Sequence, residues 1–161
     1  MTISKLAASS NRILKLHKYL MKIKIYCEAG AMTTEVKKLK TLENVELIGF
    51  PFESKNRKVF TASKPSELTC DNNFITADNS NIKVSDTERS EKFKEIAKII
   101  GENHYNDVRH IDTAYKENCK IFISPDKGDI IDKAVELEKL TGIKFFHPNS
   151  IAEINRAIQN T

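Results

Sequence analysis

The sequence predicts an α/β domain with a central, mainly parallel sheet flanked by helices, and three observations carry that reading. Short apolar strand candidates alternate with helical periods, above all in the second half, which reads helix, strand, helix, strand, helix. The chain has 161 residues, one domain's length, enough to bury roughly 70% of its unfolded surface without disulfides or a structural metal. Apolar residues make up 40% and charged residues 30%, and no run approaches the roughly 20 consecutive apolar residues of a membrane span, so a membrane-spanning protein is excluded.

The elements follow in order. Residues 1–20 form a basic amphipathic segment: Ile3, Leu6, Ile13 and Leu20 fall on one helical stripe, with Ser10 and His17 completing a heptad-like spacing. Such a helix is either a solvated appendage or a contact for the domain, for an acidic surface or for a second copy of the chain, which would make a homo-oligomer. The domain proper spans 21–161. It opens with KIKIYC (22–27), of strand length and alternation, and continues into a helical period that ends near Lys40. VELIGFPF (45–52) is a second strand stopped by Pro51, and KVFTAS (58–63) a weaker third. Residues 64–84, rich in Ser, Thr, Asn and Asp, predict short strands and loops.

Ser85 to Glu88 has the capping-box form, and the helix behind it carries Phe93, Ile96, Ala97, Ile99 and Ile100 on one face before stopping at Gly101. A helix over 106–117 leads to the buried strand KIFIS (120–124). A helix over 128–141, a strand KFF (144–146) and a helix over 149–157 complete the chain. Neither GxGxxG nor GxxxxGK[ST] occurs among only five glycines, so any chemistry rests on side chains rather than on a phosphate-cradling loop.

The net charge of +4 changes meaning when divided along the chain. Residues 1–24 hold six cations and no acid, leaving 25–161 at −2. A slightly acidic body argues against a basic nucleic-acid clamp over the whole domain. Cys27, Cys70 and Cys119 are odd in number and form no CxxC pair, which disfavours a zinc knuckle or a disulfide framework and suits a reducing, cytoplasmic compartment. The N-terminal apolar residues are interrupted by Arg12, Lys15, His17 and Lys18, so no export signal is read there.

In a parallel sheet each strand delivers its next residue to the carboxyl edge, where α/β proteins place their sites. Glu28 follows the first strand, Asp126 follows KIFIS after the Ser124–Pro125 turn, and Asp129 comes three residues later. The helix that leads into KIFIS runs the other way, so Asp107 at its start belongs to the same edge. Two carboxylates about 4 Å apart repel by roughly 4 kcal/mol at an effective dielectric of about 20, so a cluster either protonates or binds a cation. An all-oxygen set favours Mg2+ or Mn2+, which activate water and neutralise a phosphodiester. Three of the acids also have plainer explanations, as a helix cap for Asp107, a turn residue for Asp126 and a helix N-terminal charge for Asp129, whereas Glu28, at a strand-to-helix transition beside Cys27 and Ala29, is the least easily explained that way.

The segment DVRHIDTA (107–114) followed by YKENCKIFISPD (115–126) resembles the second half of PIN-domain proteins, where an Asp-x-x-His-x-x-x-Ala helix leads through a short strand to a Thr-x-Asp turn. LTGIKFFHPNSIAEI (140–154) is similar to that family's closing strand and helix, and KIKIYCE places Glu28 where the family's first strand ends in an Asp. The resemblance covers 22–35 and 107–154, and implies a PIN-like three-layer domain. It also implies a Mg2+- or Mn2+-dependent ribonuclease, in many relatives the toxin half of a toxin/antitoxin pair, with RNA as substrate and an antitoxin-like protein as partner. By the same likeness Glu28, Asp107 and Asp126 are catalytic metal ligands and Asp129 is a fourth. The departures are Glu28 for Asp, and Ser124–Pro125 for the Thr-x pair. A further acid of the first half has only Glu67, Asp71 and Asp86 as candidates.

Arg109 and Lys127, with Lys37 or Lys38, are the cations nearest in sequence for gripping RNA. His110, one turn from Asp107, either approaches the acids or bonds to a neighbour within the fold, the usual lot of a single His. The competing functions are a catalytically degenerate binding module acting through protein partners, and a receiver-like phosphoacceptor, for which no matching Lys and Thr or Ser is evident.

Overall fold

The computed structural model describes residues 22–50 and 89–161. The N-terminal helix, the 58–63 strand, the 64–84 stretch, the capping box at 85–88 and the candidate acids Glu67, Asp71 and Asp86 lie outside these residues. Within them a four-stranded sheet is parallel throughout, in the order β2-β1-β3-β4. The strands are β1 (Ile23–Cys27), β2 (Val45–Ile48), β3 (Ile121–Ile123) and β4 (Lys144–Phe146). The helices are α1 (Thr34–Lys38), α2 (Phe93–Ile100), α3 (Tyr105–Lys116), α4 (Ala134–Thr141) and α5 (Ile151–Gln159). No helix among the described residues is long and apolar enough to cross a membrane.

Three layers result from which side chains each strand sends up and down. On one face Tyr26, Ile48, Phe122 and Phe145 pack with Phe93 and Ile96 of α2, Val108 and Ile111 of α3, and Leu137 of α4. On the other, Ile25, Cys27, Leu47, Ile121 and Ile123 meet Val36 of α1 and Ile154, Ala157 and Ile158 of α5. Burial on both sides is why β3 reads as a continuous apolar run, while in β1 only Ile25–Cys27 is buried throughout. Tyr26 and Phe122 stack at 5.1 Å, and Phe145 follows Phe122 at 5.2 Å, forming an aromatic row across β1, β3 and β4.

Several boundaries differ from the sequence expectation, each for a local reason. The helical period after β1 breaks into a 3-10 turn (Ala29–Ala31), the five-residue α1 and a second 3-10 turn (Leu39–Thr41). Thr33 caps α1, its Oγ1 accepting from the Val36 amide at 3.3 Å. β2 stops at Ile48 because the Phe50 amide donates to the Tyr26 hydroxyl at 3.1 Å instead of continuing the ladder. α2 begins only at Phe93, where Ser90 Oγ accepts from the Lys92 amide at 3.1 Å. The buried Asp112 in turn takes bonds from the Ser90 amide and hydroxyl. α2 ends at Gly101 with φ 108°, as expected, and α4 at Gly142 with φ 73°, left-handed positions that suit glycine.

Candidate functional site

The sheet order places β1 centrally, with the chain leaving toward β2 on one side and returning to β3 on the other. α1, after β1, packs on one face, and α4, after β3, on the opposite face. The carboxyl ends of β1 and β3 therefore form a topological switch point, where open α/β sheets have a crevice between diverging connections. Cys27 and Ile123 pair in register there, and the Glu28 amide extends the ladder by donating to the Ile123 carbonyl at 3.1 Å. The loops after the two strands pack closely: a Cβ on Gly30 would lie 3.1 Å from Pro125 Cγ, tighter than ordinary contact.

Glu28 is buried to 9% exposure at this edge. Burial, with Glu28 adding, pushes the Cys27 thiol up to about 12, so Cys27 is a core thiol rather than a nucleophile. Asp126 lies in the loop after β3. Its amide donates to Ser124 Oγ at 3.0 Å, and its Oδ1 accepts from the Asp129 amide at 3.0 Å, an Asx-type turn. That turn, with the Ile131 and Asp132 amides bonded back to the Asp126 and Lys127 carbonyls, delays the helix from the expected 128 to the 3-10 turn Ile131–Lys133 and then α4.

His104, Asp107 and Asp129 each offer a ligand atom within 4.8 Å of the other two. His104 is the N-cap residue of α3, with its amide donating to the Gly101 carbonyl and its carbonyl accepting from the Val108 amide, both at 3.1 Å. Its Nδ1 lies 3.1 Å from Asp129 Oδ2 and 3.7 Å from Asp107 Oδ2. Lys133 Nζ stands 4.0 Å from Asp129 Oδ1 and donates to the Ile100 carbonyl at 2.8 Å. The fold thus joins Asp107 to Asp129, as the topology argument expects, while Glu28 and Asp126 stand outside this 4.8 Å group. His104 was missed by sequence reasoning. Its one signal is its place three residues before Asp107, one helical turn away.

The two cations assigned to RNA part company. Lys127 is exposed on the loop after β3. Arg109 is buried to 5% exposure, its guanidinium 5.5 Å from the centre of the Tyr105 ring, and so does not present the surface phosphate contact expected of it. The cause is helix phase: Arg109 follows the core residue Val108 and lies one turn beyond Tyr105.

His110 turns away from the acids. Its Nδ1 is hydrogen-bonded at 2.8 Å to the Tyr26 hydroxyl, which itself accepts from the Phe50 amide. Burial, with Arg109 adding, pushes the His110 pKa down to about 4, and burial holds Tyr26 well above the usual phenol range. The bonded-neighbour reading of His110 is the one realised.

No family model matches this chain, and no curated protein or solved structure does.

Proposed function

We propose that this chain is a divalent-metal-dependent ribonuclease of PIN-like architecture, hydrolysing RNA phosphodiester bonds at the carboxyl edge of the sheet. The observation that carries the reading is the gathering of acids at one sheet edge, with Glu28 next after β1, Asp126 in the loop after β3, and Asp107 joined to Asp129 through His104. The donor set is compatible with Mg2+ or Mn2+: Asp107 and Asp129, with Glu28 and Asp126 on the same sheet edge, offer hard oxygen ligands. When bound, such an ion lowers the pKa of a coordinated water and neutralises charge on the phosphodiester.

The residues divide the remaining work. Asp107 and Asp129, both partly exposed, are placed to meet a hydrated ion from solvent. Glu28, nearly enclosed, stands next after β1 on the same sheet edge. Lys127, on the loop that bears Asp126, offers an exposed phosphate contact, and Lys37 and Lys38 close α1 at its basic end. On this reading the partners are RNA and, for a toxin-like cytoplasmic enzyme, an antitoxin-like inhibitor protein. The test is cleavage of single-stranded RNA with Mg2+ or Mn2+. An Asp107→Asn, Asp126→Asn double variant should lose at least about 100-fold, the scale of one transition-state charge contact, and equal rates in both proteins remove the proposal.

One observation favours a second reading, a binding module without catalysis. His104 contacts both Asp107 and Asp129, and when protonated it offsets their charge without any metal, while Asp126 Oδ1 is engaged by a backbone amide. Calorimetric titration showing no Mn2+ uptake at millimolar concentration would select the binding module.

A further inference from the structure

An oxygen-only account of the site leaves His104 without a role. Two ligands about 2.1 Å from a shared ion, at angles between octahedral and tetrahedral, stand about 3.0–3.4 Å apart. His104 Nδ1 is 3.1 Å from Asp129 Oδ2, already at coordination spacing, and 3.7 Å from Asp107 Oδ2, which reaches it by moving a few tenths of an ångström; the three ligand atoms lie within 4.8 Å of one another. The three side chains come from two segments with separate anchors. The N-terminal end of α3 holds His104 and Asp107, and the Asx-type turn after β3 holds Asp129 by its amide. Lys133, bonded to the Ile100 carbonyl, faces the other oxygen of Asp129 and leaves Oδ2 on the His104 side. Side-chain exposures of 42%, 27% and 36% leave room for the waters that complete a coordination sphere.

From this geometry we infer that His104 Nδ1 is a nitrogen ligand of the cation, and that the site takes Mn2+ and the later first-row divalent ions in preference to Mg2+. Mg2+ demands oxygen ligands in near-ideal octahedra and sheds water reluctantly, whereas imidazole is a good ligand for borderline transition metals. The inference rests on the metal-dependent reading above and sharpens its choice of ion.

The experiment uses the full chain free of RNA, loaded with Mn2+ and examined by electron spin-echo envelope modulation, with calorimetry for Mn2+ and Mg2+. The expected results are nitrogen modulation on the bound Mn2+ and an Mn2+ affinity at least about tenfold above that for Mg2+. His104→Ala, at an exposed position, should abolish the modulation and weaken Mn2+ by about tenfold while leaving Mg2+ little changed. Asp107→Asn combined with Asp129→Asn should lose both ions. Mn2+ bound without nitrogen coupling, equal Mn2+ affinity after His104→Ala, or no Mn2+ bound at millimolar concentration would each overturn it. The two proposals fail separately: nitrogen coupling without RNA cleavage sinks the nuclease alone, and metal-dependent cleavage without nitrogen coupling sinks the His104 ligand alone.

Discussion

α3 carries two histidines six positions apart in opposite settings. His104 caps the helix in partial contact with solvent, its ring nitrogen facing two carboxylates. His110 sits against the sheet, its ring nitrogen facing a phenol inside the aromatic row. The same side chain is therefore available to a cation or a charge in one place and held neutral in the other. What decides is the partner and the surrounding water, not the residue type, and helix phase assigns the surroundings.

The largest expected effect tests the more enclosed member. The unfolded chain titrates His110 near 6.5 and the folded protein near 4, so the unfolded state takes up protons first as the pH falls. The stability this group contributes is complete above about pH 6.5 and is lost as the pH drops toward 4, by about 3 kcal/mol. Urea unfolding from pH 7 to 4, compared with His110→Gln, isolates that limb. An imidazole that titrates near 6.5 by NMR would erase the contrast between the two histidines.

A smaller effect is expected from Tyr26→Phe, which removes the hydroxyl shared by the Phe50 amide and His110 Nδ1. Leaving two partly buried polar groups without that partner should cost about 1–3 kcal/mol in urea unfolding, and it should move the His110 titration. The smallest belongs to the other member: His104→Ala should change metal-free stability by less than about 0.5 kcal/mol, because exposed ion pairs contribute little. A loss comparable to that of Tyr26→Phe would mean that His104 is part of the fold's framework and the two sites are alike.

The parts legible in the sequence are those whose signal is local. β4 falls where KFF was placed, and α3 is displaced by one residue, because an uninterrupted apolar run or helical period has one favourable burial. The starts of α1, α2 and α4 were misread where Thr33, Ser90 and Asp126 divert backbone amides to side-chain oxygens, and composition does not reveal which amide each side chain takes. The chain order put Asp107 at the correct end of α3. The meeting of His104 with Asp129 spans 25 positions and depends on how the loop after β3 folds back. Arg109 was misplaced because a basic residue in a helical period announces exposure, and only tertiary packing shows that its guanidinium lies over the Tyr105 ring.

The pairing of β1 with β3 also governs when the protein can exist during its own synthesis. Ile25 waits for Ile121, 96 positions later in translation, and the sheet edge beside Glu28 has no β3 neighbour until that strand leaves the ribosome. Closing so long a loop carries an entropic cost that β1 and β2 alone cannot offset. A nascent or truncated chain lacking β3 would therefore hold Glu28 and Asp107 without the edge that brings their segments together.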